Sequence, residues 1–293
     1  MNEAPPARPV VVAVDGSEAA IGAAEWAAKE ALHQGVPLRI VHVVQDTCPS
    51  MPAEVLDGVE RQYAQNCLRE ASLAVEATNL PIAIETAVLC GSLSVALVGE
   101  SDCAALICVG SSGIGRIAAA AFGSTATTLA ERAHCPVAII RRGDSTPLPE
   151  AGFIVAVLDG CSEDDASIVW ALEEGRVRGA PVLALGIFPW PLFDIDHERF
   201  YDRLDYWLHR YPDVTVEVAT TRLSAPRYLE SFVGAMQLVV IGHRDADSVT
   251  RLVGPHQLPI LAHANCSVLI ARCAEQEGQN DYSRLSVPEQ SAS

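Results

Sequence analysis

The sequence predicts an α/β protein built from two tandem, doubly wound, Rossmann-like parallel sheets of five strands each, and three observations carry that prediction. Short apolar runs alternate five times with helical stretches between residues 10 and 140. The first run, Val10-Val11-Val12-Ala13-Val14, is polar on neither face, as a strand covered by helices on both sides requires. The pattern then starts again. Asp159, Gly160, Trp170, Ala171, Glu174, Gly179 and Pro181 answer Asp15, Gly16, Trp26, Ala27, Glu30, Gly35 and Pro37 at one constant offset, without a gap.

Taken in order, the first strand closes at Asp15-Gly16-Ser17. A helix capped by Asp15 or Ser17 then runs through Ala23, Trp26, Ala27, Glu30 and Ala31 to Gly35, where Pro37 stops it. Residues 38–44 are the second strand, reached by a right-handed crossover. After a Pro- and Ser-containing loop, a second helix spans 53 to about 79, with Val55, Val59, Tyr63, Leu68 and Leu73 as its periodic apolar positions. Residues 82–88 form the third strand, and 93–100 the third helix with Leu93, Ala96 and Leu97 inward. The fourth strand covers 104–109, the fourth helix 124–133 and the fifth strand 136–140. In the second copy Leu238 to Gly242 answer Leu106 to Gly110, and Cys266 to Ile270 answer Cys135 to Ile139. The expected division is 1–142 and 152–273 for the two repeats, 143–151 for a linker and 274–293 for a polar, disordered tail.

Composition narrows the function. A chain of 293 residues with 49% hydrophobic content can bury two cores. A net charge of −17 repels a nucleic-acid backbone, so an anionic ligand must be held by local donors. No apolar run is long enough to span a membrane and the start lacks an apolar leader, which predicts a cytoplasmic protein. Nine cysteines without a Cys-x-x-Cys pair read mostly as small core residues, Cys103 and Cys108 among them, rather than as disulfides or ligands; Cys48 and Cys161 give little sign of a redox role.

The stretch with chemistry in it is Val109 to Thr125, where a strand runs into a glycine loop and then a helix. Gly110 is followed after two residues by Gly113, and after nine more by Gly123, Ser124 and Thr125. Such a loop brings backbone N–H groups and the positive end of a helix dipole to one point, a natural seat for phosphate. It is not a Walker-type loop, and the single lysine, Lys29, lies elsewhere. In a doubly wound sheet ligands sit beyond the carboxyl ends of strands. If strands one and four are neighbours, then Asp15, Val43 and Gly110 converge on one crevice.

This spacing resembles the ATP-binding signature of the universal stress protein family, and the repeat resembles its tandem actinobacterial members. The resemblance implies an adenine nucleotide, ATP with or without magnesium, whose adenosine portion meets Asp15 and Val43. Its ribose and phosphates would lie against Gly110, Gly113, Gly123, Ser124 and Thr125, and Gly16, Ser17, Val109 and Ser111 complete the expected ATP-binding set. Arg116 is either a phosphate contact or a solvated loop charge, and Ser112 stands where many tandem members have arginine. The resemblance also implies dimerisation through the last strand, and residues 137–140 and 268–270 offer apolar edges for pairing between repeats or between chains. In the second repeat Asp245 answers Gly113, Pro255 answers Ser124 and Cys161 answers Ser17, so nucleotide binding is expected to be lost there.

Catalytic constellations are thin. Ser17, Ser111 and Ser124 have no triad partner, and Gly-x-Ser-x-Gly is absent. His42 reads as a packed histidine or as the best general base; His33 and His134 sit at helix ends, and Asp164-Asp165 and Asp245 with Asp247 read as caps or solvated charges. The expectation is a non-catalytic, ATP-binding stress regulator with a protein partner of unknown identity, the alternatives being a weak ATPase and a nucleotide-independent scaffold.

Overall fold

The computed structural model describes residues 7–44, 53–111, 124–141, 152–158, 164–188, 193–229, 236–242 and 266–272, with backbone alone at 53–57, 164, 193–197, 199 and 226. The elements of the first repeat are β1 (Val10–Ala13), α1 (Glu18–Gln34), β2 (Leu38–Val44), α2 (Ala53–Ala77), β3 (Ile84–Cys90), α3 (Leu93–Ser101), β4 (Leu106–Gly110), α4 (Ser124–Arg132) and β5 (Val137–Ile140). The second supplies β6 (Phe153–Leu158), α5 (Asp164–Arg178), β7 (Val182–Ile187), α6 (Phe193–Leu208), β8 (Val216–Thr221), α7 (Ala225–Leu229), β9 (Met236–Gly242) and β10 (Ser267–Ala271). The expected linker and tail lie outside the described residues, as do Gly113, Gly123, Ser112, Arg116, Cys48, Asp159, Gly160, Cys161, Asp245, Asp247, Gly254 and Pro255.

The strands form one ten-stranded sheet in the order β3-β2-β1-β4-β5-β10-β9-β6-β7-β8. Each repeat contributes five neighbouring parallel strands, as expected, but the two sheets are joined rather than separate. The join is antiparallel: Ile139 stands opposite Val268 and Val137 opposite Ile270. This settles which partner the apolar final strands take, because each covers the other within the chain and neither edge remains for a second molecule.

Side-chain alternation divides the interior into two layers. Val10, Val12, Leu38, Ile40, Leu106 and Cys108 face α1, α2, α5 and α6, whereas Val11, Val41, Ile107 and Val109 face α3, α4 and α7. Alanines Ala20, Ala23, Ala24, Ala27, Ala28 and Ala31 are all buried along α1, so this helix lies close to the sheet. Ser17 caps it, its side chain accepting the N–H of Ala20, and Gly35 ends it at φ 66.

Two expectations need correction. The third strand is Ile84–Cys90 instead of 82–88. Pro81 has no N–H to give, the N–H of Ile82 is spent on the Leu80 carbonyl, and pairing with β2 starts at Ile84 opposite Leu38. On α2 the buried stripe is Ala64, Cys67, Leu68, Ala71 and Val75, while Val59, Tyr63 and Leu73 are exposed. Ala64, Cys67 and Ala71 in this stripe are small, and hydrophobicity-weighted periodicity does not register their burial. Cys103 is likewise exposed, whereas Cys67, Cys108, Cys135 and Cys266 are buried as expected. No helix among the described residues is long and apolar enough to cross a membrane.

The corrected helix face gives a direct check. Ala71→Leu should destabilise the protein by about 1–3 kcal/mol through overpacking, and Leu73→Ala should stay within about 0.5 kcal/mol of the parent. Urea unfolding monitored by circular dichroism distinguishes the two.

Candidate functional site

The site begins with two strand ends that stop side by side. β1 pairs in parallel with both β2 and β4, with Ala13 beside Val41 on one side and Val109 on the other. Strand order reverses between β1 and β4, and the gap beyond their carboxyl ends is where doubly wound sheets hold ligands. A cavity of about 110 Å³ opens there. Asp15, Ser17, Val43, Val109, Gly110, Ser111 and Thr125 all line it, from β2, β4, α4 and the connections that follow β1 and β4. Of the other predicted residues, Gly16 and Ser124 flank the cavity in sequence without lining it, and Gly113 and Gly123 fall outside the described residues.

Most of the lining is apolar, with Ala13, Val14, Ala20, Leu93, Leu97 and Ala126 completing it. Sequence reasoning missed these because their signal is only apolar, like that of any core residue. The Asp15 carboxylate accepts the N–H of Ser17 at 3.0 Å, and Ser17 Oγ accepts the N–H of Ala20 at 3.2 Å, which shapes the start of α1. Thr125 and Ala126 bring the first turn of α4 to the same cavity, and first-turn N–H groups have no partner within their own helix.

Two glycines are required by contact. A Cβ on Gly110 would stand 2.8 Å from the carbonyl carbon of Ala19 and 2.9 Å from the nitrogen of Ala20, so the end of β4 rests directly on the first turn of α1. Gly16 has φ +84, and a Cβ there would meet Cys67 Sγ at 3.0 Å and Tyr63 Oη at 3.2 Å.

The turn after β1 is held from the other layer by two side chains. His42 is buried, and its Nδ1 lies 2.7 Å from the Val14 carbonyl, which it can meet only as an N–H donor. Tyr63 Oη donates to the Asp15 carbonyl at 2.9 Å, and the two rings meet edge to face at 5.8 Å. Burial, and then the hydrogen bond with Cys67, push the Tyr63 phenol up, which keeps its proton in place as a donor. His42 is packed at this turn and is not among the residues that line the cavity. Tyr63 was expected as an inward helix residue and is instead a positioning group for Asp15.

The remaining candidates resolve outside the cavity. His33 Nε2 pairs with Glu173 at 3.1 Å, and His134 Nε2 lies 3.6 Å from Asp102. Asp165 is held by both nitrogens of the Arg203 fork at 2.7 and 2.9 Å and by Trp207 Nε1 at 2.9 Å. Burial pushes its carboxyl up, but these donors outweigh that and hold it below the usual range, so it anchors α6 instead of sitting as a solvated charge. Among the described residues no group of three or more His, Cys, Asp and Glu is placed to hold a metal ion.

Comparison with known proteins adds to this geometry. Residues 6–141 match the profile of the Universal stress protein family. Universal stress protein Rv2624c of Mycobacterium tuberculosis is 42% identical over 270 residues, which cover 92% of this chain and 97% of the relative. Universal stress protein Rv3134c of the same organism is 37% identical over 283 residues, 94% of this chain and 99% of the relative. A crystal structure of a universal stress protein from Archaeoglobus fulgidus superposes with a TM-score of 0.69 at 16% identity, covering 91% of this chain and 97% of that one, a likeness of fold.

The glycine contacts predict that Gly110→Ala and Gly16→Ala each lose about 1–3 kcal/mol of stability. Tyr63→Phe should lose only about 0.5–1.5 kcal/mol, the net worth of one hydrogen bond. Guanidinium unfolding at constant m-value measures all three.

Proposed function

The chain belongs to the universal stress protein family, and from that premise we propose that it is an ATP-binding regulator that does not turn its nucleotide over. The single observation that carries this reading is the cavity at the carboxyl ends of β1, β2 and β4, lined mostly by apolar side chains and also by Asp15, Ser17, Ser111 and Thr125. An apolar slot suits a flat base, the Asp15 carboxylate suits the donor groups of adenosine, and the first turn of α4 suits phosphate. Gly113, Gly123 and Ser124 complete the phosphate seat in this proposal. Magnesium enters, if at all, as the counter-ion of the phosphates.

The non-catalytic reading is supported by His42, the best general base in the sequence, which is not among the residues that line the cavity. Regulation then follows from occupancy: a nucleotide that prefers one arrangement of the β4–α4 connection shifts the population toward it and alters a surface that a protein partner reads. The nucleotide belongs to the first repeat, residues 1–142, while 152–273 supplies a degenerate copy that packs beside it. A cytoplasmic location and a homodimer are part of the same proposal. Such a dimer would have to use a surface other than β5 and β10, which already cover one another.

ATP present at a hundredfold excess over its dissociation constant should add about 2.7 kcal/mol to the unfolding free energy. Asp15→Ala and Gly113→Asp should each remove most of that gain in a thermal-shift titration, and no adenine in an acid extract together with no shift favours the nucleotide-independent scaffold. Phosphate release from a stoichiometric complex within hours would instead make the protein a slow ATPase.

A further inference from the structure

Glu30 and Glu174 are the same residue of the two repeats, and both are buried at 1% exposure. They meet where α1 and α5 flank the β5–β10 seam, with their carboxyl groups in hydrogen-bonding reach of one another. Ionised carboxylates only accept, so a hydrogen bond between two of them requires that one carries a proton. Glu30 Oε1 and Glu174 Oε1 are both buried and neither receives a hydrogen bond from a donor group.

The surroundings decide which side holds the charge. Arg178 Nε donates to Glu174 Oε2 at 2.6 Å, and the same guanidinium lies 5.2 Å over the ring of Trp26 from α1. The one guanidinium beside the pair bonds directly to Glu174 and acts on Glu30 through its charge alone. The other groups facing the pair are Gln34 from α1 and Cys108 from β4, whose thiol burial pushes well above its ordinary range and keeps neutral. At the rim His33 of α1 pairs with Glu173 of α5, and Arg176 lies 3.6 Å from the same Glu173.

We infer that Glu30 and Glu174 share a single proton and so form a pH-sensitive joint between the two repeats, closed while the proton is held and forced apart when it is lost. Loss leaves two buried anions facing one guanidinium, a repulsion that low dielectric strengthens. Because the pair comes from corresponding positions, it lies at the pseudo-twofold centre, where any separation of α1 from α5 is felt by both repeats alike. The joint works in this way whatever the cavity binds.

Burial, and then the Glu174 carboxylate, push the Glu30 carboxyl up to about 8. The folded chain therefore holds more protons than the unfolded one between about 4.5 and 8. Stability from this group is complete below about 4.5 and is lost as pH rises through about 8.

Infrared spectroscopy on the full chain at about pH 6 should show a buried protonated-carboxyl band that disappears by about pH 9.5 and is missing in Glu30→Gln. Between about pH 4.5 and 8 the unfolding constant of the parent should rise by up to about tenfold per pH unit relative to Glu30→Gln, which keeps an amide donor toward Glu174, and it should level off above that range. Hydrogen exchange in α1 and α5, corrected for intrinsic rates, should accelerate in the parent alone. A band that is absent at about pH 6 or that persists in Glu30→Gln overturns the inference, and so do parallel pH profiles of the two proteins.

Discussion

Everything about the site depends on β1 and β4 being neighbours that end at the same level. Their parallel pairing leaves a gap beyond Ala13 and Val109, and Gly110 then lets the end of β4 rest on the backbone of Ala19 and Ala20. With a side chain at 110, α1 would stand off the sheet and its first turn would leave the cavity. The same close approach fits the row of buried alanines along α1. The two side chains that reach the turn after β1, His42 and Tyr63, both hold backbone carbonyls there.

The junction of the repeats is polar in its details although its strands are apolar. Ser267 Oγ accepts the N–H of Arg141, and Arg272 reaches back to donate to the carbonyl of Ala130 at 2.6 Å, close to the end of α4. Burial lowers the affinity of the Arg141 guanidinium for its proton. The second repeat therefore grips the carboxyl end of the helix whose amino end lines the cavity. That contact gives the second repeat a structural hold on the site even where it contributes no lining residue.

Much of the fold could be read from the chain because its strongest signals are local. Val10 to Val14, Leu38 to Val44 and the Ser17 and Gly35 caps announce their own structure, and the repeat pattern supplied the symmetry. The convergence of Asp15, Val43 and Gly110 needed one non-local fact, the β1–β4 adjacency, and that could be stated only as a condition. Tyr63, Leu93 and Leu97 were invisible as site residues, since an apolar or aromatic residue at helical spacing looks the same whether it covers a core or a cavity. Glu30 and Glu174 were visible as corresponding positions, but nothing in one dimension places a residue opposite its own copy.

The antiparallel seam has a consequence for how the molecule behaves on dilution. In a pair of separate subunits the same contact would come apart as concentration fell, whereas here the intervening chain holds the partner at a fixed, high local concentration. The association is therefore insensitive to expression level, no foreign subunit can exchange into it, and each copy is free to accumulate its own substitutions without having to match itself.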